Sequence, residues 1–296
     1  MPSHVKWLPK PEILSYEEIE TLTRIFASEG IDELRVTGGE PLVRRDVHKL
    51  IEKLIAIPGI RDISLTTNGY YLKEQAQLLK DAGIKRINIS LDSLKPDRFR
   101  EITRNDSFDH VMAGIAEAQR VGFDPIKINC VVIRGFNDDE IVDFLNWGAT
   151  ENLKIRFIEF MPLDGDHQWK RINVLTKAEI LKQAAKFATV QPIFEDEISP
   201  ASRYSYGARG EFGVIPSVSE PFCARCSRIR ITADGKLRTC LFAIQETDLR
   251  GPLRSGADSQ QIANLVRAAV LEKWAGHHIN DPDFEQPERA MYAIGG

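Results

Sequence analysis

The sequence predicts an α/β protein: a run of βα units to about residue 162, then an irregular extension over residues 163–296. Three observations carry this. From about Ser15 to Phe160, helix-period and strand-period patterns alternate at the length of βα units, which pack as a parallel sheet, open or closed into a barrel. The series starts with a helix, so it reads as an incomplete barrel missing its first strand. After Pro162, Gly, Pro, Ser and Asp become frequent as far as Pro221, and three clustered cysteines follow.

The elements follow in order. Ser15 and Glu18 form a capping box for a helix with Ile19, Leu22, Ile25 and Phe26 on one face, stopped at Gly30. A short strand over Glu33–Val36 runs into Thr37-Gly38-Gly39-Glu40-Pro41. A helix from Asp46 to about Ala56 ends before Pro58-Gly59. The strand Asp62–Thr66 precedes a helix near Lys73–Ala82, and Arg86–Ser90 is the next strand. A helix over about Phe108–Val121, a strand over Ile126–Val132, a helix over Asp138–Ala149 and a strand over Ile155–Phe160 close the series. In the extension we expect a helix over Lys177–Phe187, a hairpin turning at Ala233-Asp234-Gly235, and a helix from about Asp258 to Trp274.

Composition bounds the function. Of 296 residues, 43% are hydrophobic, enough for a buried core, and the net charge of −4 leaves no footprint for nucleic acid. No apolar run approaches the ~20 residues of a membrane span. Met1–Lys10 has no signal-type apolar core. These features predict a cytoplasmic protein with no membrane or nucleic-acid partner.

Cys223, Cys226 and Cys240 have metal-ligand spacing, with the hairpin returning Cys240 to the first pair. Three thiolates leave one coordination position short of a structural zinc site, though His277 and His278 lie downstream. They equally suit an iron–sulfur cluster with one open iron, so zinc and iron–sulfur both stand at this point. Arg228 and Arg230, two residues apart, share a strand face and fit an anionic ligand such as a triphosphate; alone, they would read as a solvated face. Gly38-Gly39-Glu40-Pro41 ends a strand where parallel-sheet proteins bind ligands, or makes a tight turn only. Thr66, Asn68 and Ser90 lie on the same rim. Lys127 is a cation inside an apolar strand and should point into a barrel. Cys130 reads as a small core residue.

Together these segments resemble one family. Thr37–Leu42, Thr66-Thr67-Asn68-Gly69, Asn88–Asp92, Arg156–Met161, Phe222–Cys226, Arg228-Ile229-Arg230, Asp234–Phe242 and the final Gly295-Gly296 match the radical-SAM GTP 3′,8-cyclases of molybdenum-cofactor biosynthesis in order and spacing. The resemblance implies an incomplete six-stranded radical-SAM barrel closed by the extension, and two [4Fe–4S] clusters. One would sit on an N-terminal CxxxCxxC loop and cleave S-adenosylmethionine. The other would be held by Cys223, Cys226 and Cys240, with its open iron facing the GTP base. By position, Gly39, Ser90 and Met161 would line the S-adenosylmethionine site. Arg35, Thr66, Lys127, Arg228, Ile229 and Arg230 would hold GTP, and the Gly295-Gly296 tail would enter the active site. The chain departs from the family in one respect: no cysteine precedes Cys130, and the CxxxCxxC would come just before Met1-Pro2. The 296-residue chain is therefore expected to be inactive without that motif. The expected partners are GTP, the next enzyme of the pterin pathway and a second copy of the chain. A non-catalytic GTP-binding or assembly protein, and a radical-SAM enzyme for another substrate, are the alternatives.

Overall fold

The computed structural model describes residues 7–165, 168–194, 199–273 and 276–295. Helix α1 (Tyr16–Ser28) begins at the capping box, where the Ser15 hydroxyl accepts from the Glu18 amide and the Glu18 carboxylate accepts from the Ser15 amide. Strand β1 (Glu33–Val36), helix α2 (Val47–Ile55), β2 (Asp62–Thr67), α3 (Leu72–Asp81) and β3 (Ile87–Ser90) follow the predicted order. Next come α4 (Pro96–Thr103), α5 (Phe108–Arg120), β4 (Ile126–Val132), α6 (Ile141–Glu151) and β5 (Lys154–Glu159). The extension contributes α7 (Lys177–Ala184), β6 (Gln191–Ile193), β7 (Ser202–Ser205), β8 (Glu211–Ile215), β9 (Arg230–Ile231), β10 (Lys236–Arg238), β11 (Thr247–Asp248), α8 (Arg250–Arg254), α9 (Ser259–Leu271) and α10 (Met291–Ile294).

One sheet of eight strands runs in the order β1-β2-β3-β4-β5-β8-β7-β6. Strands β1 to β5 are parallel, and β8 lies parallel beside β5, with Ile155 opposite Phe212 and Ile158 opposite Ile215. Strands β7 and β6 complete it antiparallel. The sheet therefore holds six parallel strands, where the sequence pattern shows five, and it runs past residue 162. Strand β8 escapes the pattern because its five residues lie among Gly207, Gly210 and Pro216, with Gly213 at its centre. Strand β1 forms one edge; among the described residues it pairs only with β2, and no strand precedes α1.

The main core lies between the sheet and helices α2 to α7, from Leu42 through Ile128 and Phe157 to Val214. A second apolar cluster joins the two ends of the chain: Leu22, Ile25 and Phe26 of α1 pack with Leu237 of β10 and Ile262, Ala263 and Val266 of α9. Two forked ion pairs flank that contact, Arg254 with Glu18 and Arg267 with Glu29. The extension is thus fastened to the first helix. Among the described residues no helix is long and apolar enough to cross a membrane.

Candidate active site

Strand β4 alternates. Ile126, Ile128, Cys130 and Val132 are buried against the core, so Lys127 and Asn129 occupy the opposite face. Register extends that face across the sheet. Thr66, Asn88 and Lys127 stand opposite one another on β2, β3 and β4. Two residues nearer the carboxyl ends, Ser90, Asn129, Arg156 and Gly213 form the next row across β3, β4, β5 and β8. A β-carbon on Gly213 would press on the Ala201 Cβ at 3.2 Å and touch the Arg156 Cγ at 3.5 Å, an ordinary contact. The Asn88 amide donates to the Leu65 carbonyl (3.2 Å) and to the Thr66 hydroxyl (3.4 Å). That leaves the Thr66 proton free to point at a ligand. The Asn129 Oδ1 is buried without a hydrogen-bond partner.

The site is electropositive. Arg35 faces open space from β1 yet is hemmed in by protein, and burial, then Arg228 and Arg86, lower its pKa. Burial pulls Lys127 down to about 8, with Arg156, Arg86, Arg35 and Arg203 adding to the effect. Arg156 falls to about 10 through burial and then Arg35. Arg230 also falls to about 10, by burial and then Arg228. Among the described residues, none of Arg35, Lys127, Arg156 and Arg230 forms an ion pair. Glu33 and Asp62 near Arg35, and Glu211 near Arg156, offset the repulsion only in part; like charges gathered without paired counter-ions cost stability, and proteins keep them where an anion binds.

Hairpin β9–β10 turns through Gly235 at φ +76°, a conformation suited to glycine. Cys223 and Cys226 precede it and Cys240 follows. Burial pushes the Cys223 thiol up, opposed by the His277 backbone amide, and Cys240 and Cys226 push it further. Burial also acts on Cys226, but the Arg228 amide and guanidinium outweigh it and the net shift is downward. The Arg228 guanidinium donates to the Cys226 Sγ at 3.5 Å and stacks on the Phe222 ring at 4.9 Å. The three thiols feel one another, although among the described residues no three side chains close into a finished metal site. Each downstream histidine has one ring nitrogen engaged. The buried His277 ring accepts from the Ile279 amide (3.3 Å) and His278 pairs with Asp281 (2.6 Å). Three thiols with one position open suit an iron–sulfur cluster with an open iron, whereas a structural zinc would need a fourth ligand. Ile229 turns its side chain into the second apolar cluster, which leaves only its backbone for a ligand.

At the rim, Glu40 accepts from the Leu42 amide (2.9 Å), the Thr67 hydroxyl (2.7 Å) and the Asn68 amide (2.6 Å). Its carboxylate is used to tie the β1 and β2 loops together. The tail lies against this rim. A β-carbon on Gly39 would meet the Tyr292 carbonyl at 3.5 Å, and one on Gly295, at φ +78°, would meet the Thr37 Cγ2 at 3.1 Å. Gly296 lies outside the described residues. Met161 packs in a third apolar cluster with Cys240, Phe242, Ile279 and Ile294, between the cysteine hairpin and the tail. The structure thus brings Arg35, Thr66, Ser90, Lys127 and Arg156 to one face, and sets the cysteines and tail at its border. Sequence reading passed over Asn88, Asn129 and Arg156 as site residues. Their signal was the two-residue alternation of polar side chains in Ile87–Ser90, Ile126–Val132 and Lys154–Glu159.

Residues 1–148 match the family model of the Radical SAM superfamily, and residues 153–279 match Molybdenum Cofactor Synthesis C. The curated GTP 3′,8-cyclase of Streptomyces coelicolor is 45% identical over 99% of this chain and 87% of its own length. That of Moorella thermoacetica is 47% identical over 96% and 88%. The mitochondrial GTP 3′,8-cyclase of Arabidopsis thaliana is 39% identical over 100% and 76%. Among solved structures, native anSMEcpe with bound AdoMet aligns with a TM-score of 0.60 at 15% identity, over 90% of this chain and 73% of that one. Streptococcus suis SuiB aligns with a TM-score of 0.59 at 12% identity, over 94% and 70%. At these identities the structural likeness concerns the fold alone.

Proposed function

This chain belongs to the GTP 3′,8-cyclase family of radical-SAM proteins, and we propose that it binds GTP so that C3′ of the ribose can join C8 of the base, the first step of molybdenum-cofactor formation. The observation that carries this reading is the gathering of four cations beside the three thiols, none of them in an ion pair among the described residues. A triphosphate supplies the missing counter-charge. Arg228 and Arg230 take phosphate oxygens from the hairpin, while Lys127, Arg35 and Arg156 take them from the sheet. The Thr66 hydroxyl and the Ile229 backbone orient the nucleoside. Gly39, Ser90 and Met161 line the neighbouring S-adenosylmethionine pocket, where the bare backbone of Gly39 admits a close approach. Cys223, Cys226 and Cys240 would hold a [4Fe–4S] cluster, which would supply an iron site beside the nucleotide. S-adenosylmethionine would supply the radical that starts ring closure, cleaved at a cluster whose CxxxCxxC ligands are not among these 296 residues. The product then passes to the next pterin-forming enzyme.

Anoxic reconstitution should load one [4Fe–4S] cluster per chain, and Cys226→Ser should lower iron and sulfide content together. Stoichiometric zinc without iron would overturn the cluster assignment.

Lys127 supplies a pH test. Its pKa near 8 in the free protein rises when phosphate binds, so binding favours the ammonium form. GTP affinity should be level just above pH 7 and weaken, by up to about tenfold per pH unit, as the pH rises through 8. Lys127→Arg keeps its charge throughout and should remove that dependence. Isothermal titration of the iron-loaded protein from pH 7 to 9.5 decides; a wild-type affinity unchanged over this range would remove Lys127 from the phosphate site.

A further inference from the structure

We propose that Arg289 positions the C-terminal tail, by locking the root of the tail onto hairpin β9–β10. Its guanidinium forms a fork on Asp234 at the hairpin turn, Nη1 to Oδ1 at 3.0 Å and Nη2 to Oδ2 at 2.8 Å. The Asp234 carboxylate is nearly buried and is oriented by a short hydrogen bond from the Thr232 hydroxyl, which also accepts from the Lys236 amide. Burial would raise the pKa of Asp234, yet the bonds from Arg289 and Thr232 hold it at about 2. The same guanidinium reaches Glu246 Oε2 at 3.0 Å. Glu246 in turn pairs with Arg238, which is 2% exposed and donates to the Leu241 and Ala243 carbonyls.

This network touches both halves of the site. Arg238 stands opposite Arg230 in the hairpin ladder and two residues before Cys240. Beyond Arg289, the Met291 amide donates to the Leu163 carbonyl (3.0 Å), Ile294 is fully buried, and Gly295 lies against Thr37. A segment of only seven residues, from Arg289 to Gly295, thus has its root on the cysteine hairpin and its tip on the Thr37–Gly39 loop. An exposed ion pair contributes little and tolerates sliding; a half-buried fork with two acceptor residues fixes register. The catalytic consequence rests on the function proposed above, whereas the clamp does not.

Hydrogen exchange of the tail amides at 291–295, read without GTP, tests the clamp directly. Arg289→Gln should speed exchange there about tenfold or more while the main sheet stays protected, and Arg289→Lys should fall between. Asp234→Asn, which keeps the shape of its side chain, should loosen the same amides and serves if Arg289→Gln fails to fold. Unchanged tail exchange in a folded Arg289→Gln protein overturns the proposal. For GTP affinity, Arg289→Gln should add nothing to a chain shortened by Gly295 and Gly296, because both act through one element. Fully additive losses would place Arg289 outside the action of the tail. Failure of the wild-type protein to bind GTP would sink the functional reading and leave the exchange result standing.

Discussion

Replacing Arg230 by alanine is expected to weaken GTP binding about 10- to 100-fold, since one charge-assisted hydrogen bond is worth ~1.5–3 kcal/mol. The same change should leave the empty protein at least as stable as before. Burial and the neighbouring Arg228 both disfavour the charge on Arg230, and among the described residues it has no ion-pair partner. A residue kept for the fold loses stability when truncated; one kept for a ligand loses affinity and relieves repulsion. Arg156, depressed by burial and by Arg35, should behave likewise. Arg230→Lys retains a charge without the planar fork and should fall between wild type and Arg230→Ala. Calorimetric binding together with thermal melting separates these outcomes. Unchanged GTP affinity in both Arg228→Ala and Arg230→Ala would remove the hairpin from the nucleotide site.

The βα series was legible because local signals agree with the global fold. Strand β4 carries Ile, Ile, Cys and Val on one face and Lys127 and Asn129 on the other, and the ends of α1 and α9 carry capping boxes at Ser15 and Asp258. Helix α4 left no clear pattern because it is short and polar and buries only Phe99. Pairing was beyond local reading. Nothing within Glu211–Ile215 says that it lies parallel to β5 after an antiparallel excursion through β6 and β7. The same limit hid part of the site. Arg156 stood in a segment singled out from the sequence, but only the register of β4 on β5 places it beside Asn129 and near Lys127. Arg289 gave no signal at all, because its partner Asp234 is 55 residues away and the intervening chain is not periodic.

Glu159 carries the largest stability effect. It ends β5, two residues before Met161, is fully buried, and forms no ion pair among the described residues. Its charge is held by dipoles. One oxygen accepts from the Lys177 amide (2.8 Å) and the Ser219 hydroxyl; the other accepts from the Val218 (2.8 Å) and Ser219 (2.7 Å) amides. Lys177 opens α7, so the helix N-terminus adds a favourable field. One carboxylate thus joins the last strand of the βα series, α7 and the loop after β8, next to the segment on which the tail is seated. Glu159→Ala would leave three amides without their acceptor and open a cavity. We expect a loss of about 3–5 kcal/mol, with Tm falling on the order of 10 °C. Glu159→Gln keeps one oxygen and loses one charge, and should cost about 1–3 kcal/mol. Urea unfolding with the m-value held in common measures both changes. A Glu159→Ala protein within ~1 kcal/mol of wild type would mean that water replaces the carboxylate and that this junction does not hold the extension to the sheet.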